Sequence, residues 1–134
     1  MSQDYEGGCL CGAIRFTVTK APIRVTNCHC RICQRSAGAA FVTWAEFPAH
    51  AVTWPAQEPE IRGSSDVGER GFCPACGATL TFRFLSGETI DLAVAGFDDP
   101  SALAPADEIW TESRLPWMPA DPHLPQHLRQ RDAD

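Results

Sequence analysis

Seven cysteines are the residues of this chain whose type and spacing point most directly to chemistry. They fall into three clusters: Cys9-Leu10-Cys11, Cys28-His29-Cys30-Arg31-Ile32-Cys33 and Cys73-Pro74-Ala75-Cys76. Partners this close in sequence cannot tie distant parts of a chain by mutual disulfides, but they can offer several thiolates to one metal ion. The spacing therefore predicts zinc-type metal binding, in preference to metal-free core thiols or redox pairs.

The number of ligands that zinc requires suggests how the cysteines divide. A closed structural site has four ligands, whereas a working site keeps one position open. The segment from Cys73 to Cys76 is typical of a tight turn, and Gly77 after it tolerates a positive φ. These two cysteines supply only two ligands, so a closed site needs a second pair. We expect a structural site of four cysteines and an open site of three: Cys9, Cys11, Cys73 and Cys76 in the first, and Cys28, Cys30 and Cys33 in the second. The spacing also allows Cys73 and Cys76 to join two cysteines of the middle cluster.

An open site with three thiolates favours one reaction class. The thiolates donate so much charge that the zinc is a weak Lewis acid, and neither a His-Glu-x-x-His nor a His-x-Glu motif for zinc-hydroxide hydrolysis is present. Such a site suits an incoming thiol held as a thiolate, which can attack a small carbonyl such as formaldehyde. The alternative is a zinc-stabilised, non-enzymatic binding module with a vestigial second metal site. Redox sensing or metal buffering by the middle cluster is less favoured.

Residues beside the middle cluster are candidates for binding the rest of a substrate. Arg31 and Arg35 lie four residues apart on a candidate helical turn, where they can receive substrate carboxylates, screen the thiolates or remain solvated. His29 lies between two cysteines that project to the same side, so it is expected to point away and pack rather than shuttle protons.

Alternating apolar residues predict that strands position these side chains. Residues 14–18, 80–84 and 90–94 alternate with a period of two, and 41–44, 51–54 and 107–111 are weaker strand candidates. Helical signals are confined to 32–37 and to a turn beginning at Asp99. Six of the eleven prolines lie from Pro100 onward, so this part is expected to be irregular. The pattern predicts an all-β, or mainly β, fold with short helical turns.

Length and composition limit the remaining possibilities. The 134 residues suit one zinc-binding domain, with a core over about 5–125 and a frayed polar tail over 126–134. A net charge of −6 with no basic block argues against nucleic acid and anionic membranes as partners. The chain has no apolar run long enough to span a bilayer, and its acidic start does not fit a signal peptide. A cytoplasmic location is therefore expected; the oligomeric state is not indicated.

The cysteine motifs, taken with their neighbours, resemble one known family. The segments Gly7-Gly8-Cys9-Leu10-Cys11-Gly12, Cys28 to Gly38, Arg70 to Leu80 and Ile109 to Trp117 occur in the order and spacing typical of the glutathione-dependent formaldehyde-activating enzymes, a family that also includes centromere protein V. The resemblance covers nearly the whole chain, from Gly7 to about Pro125.

This resemblance implies a fold, two cofactor sites and an activity. The fold would be a zinc-carrying β-tent, with structural zinc on the outer cysteine pairs and a catalytic zinc site, where glutathione is thought to bind, at Cys28, Cys30 and Cys33. The activity would be that of a carbon–sulfur lyase that joins glutathione and formaldehyde into S-hydroxymethylglutathione. The implied partners are therefore a small-molecule thiol and an aldehyde.

Overall fold

Strands make up most of the regular structure in the protein, whose structure is a computed structural model that describes residues 4–131. The predicted mainly β class is confirmed. Over the described range the chain forms ten strands and one α-helix: β1 (Tyr5–Gly8), β2 (Arg15–Val18), β3 (Arg24–Cys28), α1 (Arg31–Ala37), β4 (Val42–Pro48), β5 (Val52–Thr53), β6 (Glu60–Gly63), β7 (Gly68–Phe72), β8 (Thr79–Phe84), β9 (Thr89–Ala93) and β10 (Asp107–Ile109). Four short 3-10 turns connect them: Ala49–Ala51, Val94–Gly96, Pro100–Ala102 and Thr111–Ser113.

The strands form a small and a large sheet. The small sheet has the order β1-β2-β5, and the large sheet has the order β10-β3-β4-β9-β8-β7-β6. All neighbouring strands are antiparallel except β10, which lies parallel to β3 and pairs Ile109 with Cys28. A strand from late in the sequence therefore borders the strand that leads into the middle cysteine cluster.

Alternation along β4 separates the two faces of the large sheet. Ala45 and Phe47 are fully buried in the main hydrophobic core, where they pack with Phe16 and Val18 of the small sheet. Each large apolar side chain buried in this way stabilises the fold by about 1.5–3 kcal/mol relative to an exposed one. The alternate residues of β4, Trp44 among them, project from the opposite face.

A row of side chains crosses the large sheet on that opposite face. Arg24 pairs in register with Glu46, Glu46 with Asp91, Asp91 with Phe82, and Phe82 with Arg70. Laterally paired residues lie on the same side of a sheet, about 5 Å apart from strand to strand. This row forms the floor of the large cavity described below.

Helix α1 places the third cysteine of the middle cluster. Cys30 precedes the helix in an extended conformation, and its Sγ accepts a hydrogen bond from the Cys33 backbone N–H at 3.3 Å. Gly38 follows the helix at a φ of 63°, and its N–H donates to the Gln34 carbonyl. This left-handed conformation favours glycine, which has no Cβ to clash. The helical turn predicted over 32–37 is confirmed.

The segment after β10 turns back and runs beside that strand. The His127 N–H donates to the Glu108 carbonyl at 2.9 Å, and Arg131 donates two hydrogen bonds to the Asp107 carboxylate at 2.9 and 3.0 Å. Residues 126–131 thus have backbone and side-chain partners in the structure, and the fraying expected over 126–134 stays a prediction. Backbone pairing and ion pairs fix this segment, and its polar composition gave no sign of them; the last three residues lie outside the described range.

Within residues 4–131, none of the helices has the length and apolar character that a bilayer crossing requires.

Candidate metal centre and adjoining cavity

Four sulfurs meet where the start of the chain approaches the β7–β8 turn. The Sγ atoms of Cys9, Cys11, Cys73 and Cys76 all lie within 4.8 Å of one another. Cys11 Sγ is 3.6 Å from Cys9 Sγ and 3.8 Å from Cys73 Sγ. Four thiolates arranged tetrahedrally around zinc at about 2.3 Å are about 3.8 Å apart, so this donor set fits the metal.

Two turns of the same construction present these sulfurs. The Cys9 carbonyl accepts a hydrogen bond from the Gly12 N–H at 3.3 Å, and the Cys73 carbonyl accepts one from the Gly77 N–H at 2.7 Å. Gly12 has a φ of 82° and Gly77 a φ of 80°. The positive φ predicted at Gly77 is therefore confirmed, and Gly12 has the corresponding role in the first turn.

Hydrogen bonds distribute the negative charge of the tetrad unevenly. Burial raises the pKa of Cys9, but hydrogen bonds from the Ile14 N–H at 3.3 Å and from neighbouring thiols outweigh this and lower it to about 6. A hydrogen bond from the Ala13 backbone lowers the pKa of Cys11, yet its contact with Cys9 raises it to about 11. Ionisation of all four thiols therefore requires a cation among them.

The middle cysteines form a second group. Cys28 ends β3, Cys30 precedes α1 and Cys33 lies in its first turn, and their Sγ atoms all lie within 4.8 Å of one another. Among residues 4–131 the sulfurs thus divide four and three, and the alternative grouping of Cys73 and Cys76 with the middle cluster does not occur.

A single thiolate dominates the middle group in the absence of a cation. Hydrogen bonds from Cys28 and Cys33 lower the pKa of Cys30 to about 2, and the same interactions raise that of Cys28. One negative charge is thereby shared among three sulfurs. Three simultaneous thiolates need added positive charge, and a thiolate-binding metal such as zinc can supply it.

Arg70 and Trp44 both donate hydrogen bonds to Cys33. Trp44 Nε1 lies 3.4 Å and Arg70 Nη2 lies 3.5 Å from Cys33 Sγ. Neither Arg70 nor Trp44 is predicted as a site residue from the sequence. The only sequence signal for Arg70 is its place three residues before Cys73, because its approach to Cys33 depends on the pairing of distant strands.

A cavity of about 950 Å³ opens beside the middle cysteines. Cys28, Cys30 and Cys33 line one part of it, together with Trp44 and Trp110. The cavity extends along the large sheet towards the charged residues of β3, β4 and β9. Its volume accommodates a ligand of tripeptide size beside the three sulfurs.

Asp91 is the acidic residue of the cavity floor that has no ion-pair partner among residues 4–131. Nearby, Arg24 pairs with Glu46 at 3.0 Å and Arg131 pairs with Asp107 at 2.9 Å. No side chain from residues 4–131 forms an ion pair or hydrogen bond with the Asp91 carboxyl. Burial, followed by the charges of Glu46 and Cys33, raises its pKa to about 7, and the arginines offset this only partly.

The two arginines predicted to bind substrate differ in position. Arg31 is exposed at the cavity wall, and its Nη1 donates to Gln34 Oε1 at 2.6 Å. Arg35 is exposed near the end of α1, and among the described residues it is outside the cavity lining. Arg31 therefore has the better access to a bound ligand, and a role for Arg35 stays a prediction.

His29 packs behind the middle cysteines. It is buried, and its Nε2 lies 2.6 Å from Oε1 of Glu108, which is also buried. The Phe41 ring lies 5.1 Å from the imidazole, centre to centre. This burial agrees with the packing role expected from its alternation with the cysteines.

Comparison with known proteins identifies the family. Residues 4–113 match the glutathione-dependent formaldehyde-activating enzyme family, and the chain belongs to it. The resemblance stated from the cysteine motifs is therefore confirmed for this family.

Two curated relatives share part of their length with the chain. An uncharacterized lyase of Schizosaccharomyces pombe is 31% identical over an alignment of 93 positions, and the alignment covers 63% of this chain and 61% of that protein. A protein of Halomonas elongata, provisionally named a glutathione-dependent formaldehyde-activating enzyme, is 34% identical over an alignment of 86 positions, and the alignment covers 56% of this chain and 53% of that protein. The matched part is thus less than two thirds of either relative.

A solved structure shares the fold. The crystal structure of a Rhodobacter sphaeroides protein superposes with a TM-score of 0.57 and 19% identity, covering 69% of this chain and 87% of that one. At this identity the likeness concerns the fold alone.

Proposed function

We propose that the protein is a zinc-dependent carbon–sulfur lyase that acts on the adduct of a small thiol and an aldehyde. The preferred pair is glutathione and formaldehyde, with S-hydroxymethylglutathione as the adduct. The observation that carries the proposal is the group of three sulfurs at the wall of the large cavity. Membership of the family and the names of the relatives support the choice of substrates.

In this proposal the two cysteine groups have separate tasks. Cys9, Cys11, Cys73 and Cys76 hold a structural zinc, and Cys28, Cys30 and Cys33 hold a catalytic zinc. When bound in the second site, zinc stabilises the thiolate form of an incoming thiol. The cavity beside Cys33 orients the thiol, and Arg31 binds one of its carboxylates at the cavity wall.

Orientation by the cavity is the main contribution of the chain to adduct formation. Thiols already add to formaldehyde without a catalyst, so the protein must raise the rate by holding the sulfur and the carbonyl carbon together. Trp44 and Trp110 pack with the three cysteines at the cavity lining, where their apolar rings take the place of water beside the sulfurs. We further propose that residues 1–134 act as one zinc-binding domain and that the protein works in the cytoplasm.

Cobalt-substituted protein tests whether the open site accepts a thiol. Glutathione should change the sulfur-to-cobalt absorption, whereas S-methylglutathione, which cannot supply a thiolate, should have little effect. The matched control is Cys30→Ser, which should lose the response to glutathione. Equal responses to both compounds, or none at millimolar concentration, would contradict the proposal and favour the non-enzymatic binding module.

A further inference from the structure

Arg70 is the cation that lies directly against the middle cysteines. Its side chain crosses from β7, with Nη2 3.5 Å from Cys33 Sγ and Nη1 3.1 Å from Ser36 Oγ. Its guanidinium carbon lies 4.9 Å from the centre of the Phe82 ring and 5.9 Å from that of the Trp44 ring. Two aromatic faces and two hydrogen bonds therefore hold the charge in one place.

The positive charge of Arg70 is not paired with a carboxylate. Among the other arginines of the cavity lining, Arg24, Arg83 and Arg131 each pair with an acidic residue. Arg31 is on the exposed wall, where it donates a hydrogen bond to Gln34. No Asp or Glu from residues 4–131 lies within ion-pair distance of Arg70, and the group that it contacts is Cys33 Sγ, one of the three sulfurs that share the negative charge of the middle group. A guanidinium has five N–H groups, and the hydrogen bonds to Cys33 and Ser36 use two of them. Donors therefore remain for a ligand.

We infer that Arg70 is a catalytic residue that binds the aldehyde oxygen and stabilises the alkoxide formed when the thiolate adds to the carbonyl carbon. This role rests on the proposed function, and it identifies the side chain that stabilises the negative charge developing on the oxygen. The three cysteines position the sulfur of the thiol, and the guanidinium beside Cys33 binds the oxygen of the aldehyde.

The movement of charge explains why a cation is needed at this position. The thiol first releases its proton to water, and the thiolate sulfur then forms a bond to carbon. The π electrons of the carbonyl move to oxygen, which takes a proton from water, so that a thiol and formaldehyde give a hydroxymethyl thioether with no change in oxidation state. Negative charge thus moves from sulfur to an oxygen two bonds away, and a fixed guanidinium stabilises the oxygen more than the starting thiolate.

Substitution of Arg70 separates rate from binding. Arg70→Gln should lower the glutathione-dependent rate of adduct formation, measured by exchange NMR and corrected for the uncatalysed reaction, by about 100- to 1000-fold, the usual cost of losing an oxyanion donor. Glutathione affinity, measured by cobalt absorption, should change by less than about threefold, because the sulfur contacts remain. Arg62→Gln, an exposed arginine at the edge of the same sheet that pairs with Glu60, is the control and should keep the wild-type rate.

The outcomes distinguish this role from its alternatives. An unchanged rate in Arg70→Gln, or a loss of glutathione affinity as large as the loss of rate, would overturn the assignment while leaving the lyase proposal intact. A wild-type protein that neither binds glutathione nor accelerates the reaction would refute the lyase proposal, and the Arg70 role with it. If Arg70→Gln does not fold, Arg70→Met tests the same point, because it keeps the packing against Phe82 and Trp44 but removes the charge and the donors; a wild-type rate in that variant would also overturn the role.

Discussion

Cys73 and Cys30 both have sulfur neighbours, yet the groups to which they belong connect very different lengths of chain. Cys73 is completely buried and brings the β7–β8 turn to the first cysteine pair, 62 residues away from Cys11 in sequence. Cys30 belongs to a group that spans only the end of β3 and the start of α1. The long-range group should therefore contribute more to folding than the local one.

Cys73→Ser should abolish the stable fold. Structural zinc contributes on the order of 10 kcal/mol of apparent binding free energy, which is comparable with the whole stability of a domain of this size. We expect the variant to lose one zinc per chain and to unfold or aggregate, as measured by metal analysis and thermal melting. A soluble variant with full metal content and the wild-type melting curve would contradict the structural assignment of the tetrad.

Cys30→Ser should impair activity rather than folding. The variant is expected to stay folded and to keep the tetrad zinc, because the middle group ties together only a short segment. Its glutathione-dependent activity should disappear. Circular dichroism and zinc content should be measured on Cys30→Ser and Cys73→Ser side by side. If Cys30→Ser unfolds as completely as Cys73→Ser, the roles of the two cysteine groups are reversed.

Asp91 should make stability depend on pH. Its pKa is raised from 3.8 to about 7, so the native state holds the proton more tightly than the unfolded state. Stability therefore falls as pH rises from about 4 to 7, and the full cost is present above pH 7. Asp91→Asn should be more stable than wild type at pH 8 by on the order of 1–2 kcal/mol, allowing for screening by water in the cavity, and equally stable near pH 4.

Urea denaturation at the two pH values checks this expectation. The exposed Asp66→Asn is the matched control and should show no such pH-dependent gain. An Asp91→Asn variant that is less stable than wild type at pH 8 would show that the carboxylate has a stabilising partner in solution.

At the scale of the elements, the packing of the C-terminal segment depends on one buried carboxylate. Glu108 on β10 lies 2.6 Å from His29 Nε2 and accepts hydrogen bonds from Gln126 Nε2 at 2.9 Å and from the Asp121 N–H at 3.2 Å. It therefore joins the strand beside the middle cysteines to the returning tail. Burial raises its pKa, but these hydrogen bonds outweigh burial and lower it.

Glu108→Gln should destabilise the protein by about 3 kcal/mol at pH 7, because the change removes the buried charge that pairs with Arg114 at 3.6 Å and accepts these hydrogen bonds. Since the folded pKa is depressed, the carboxylate stabilises the fold above the usual value of 4.5, and this contribution is lost as pH falls below it. The difference between variant and wild type in urea should therefore shrink towards pH 3. The exposed Glu112→Gln, which removes a surface pair with Arg129, is the control, and equal stability of the two variants would contradict this role for Glu108.

The sequence predicts elements well where one face of a strand is buried. The alternation of residues 14–18 and 80–84 corresponds to β2 and β8. β3 was not predicted, because four of its five residues are buried and its sequence, Arg-Val-Thr-Asn-Cys, does not alternate. The tail over 126–131 was not recognised because its backbone partners on β10 lie far away in sequence.

The same distinction between local and long-range signals applies to the candidate site. The cysteine spacing is a local signal, and with the four ligands that zinc requires it predicts groups of four and three. It leaves open whether Cys73 and Cys76 join the first pair or the middle cluster, which the fold decides. The contact of Arg70 with Cys33 depends on α1 lying over β7, and spacing contains no information about that arrangement. The role of Asp91 likewise depends on its lateral pairing with Glu46.

For the whole molecule, the two faces of the large sheet have different functions: one stabilises the fold and the other admits a ligand. One face packs with the small sheet around Phe16 and Phe47, while the opposite face forms the cavity. The sulfur tetrad links the two sheets at one edge, since Cys9 follows β1 and Cys73 follows β7. A ligand can therefore enter beside the middle cysteines without disturbing the main core.

Native mass spectrometry of the intact protein tests the central claim most directly, because it counts metal ions and bound thiols on the same chain. Wild type should carry two zinc ions and, in glutathione, gain one glutathione per chain, whereas S-methylglutathione should add none. Cys30→Ser should carry one zinc and gain no glutathione. A wild-type chain with a single zinc that Cys30→Ser retains, and with no glutathione bound, would contradict an open, thiol-accepting site at Cys28, Cys30 and Cys33.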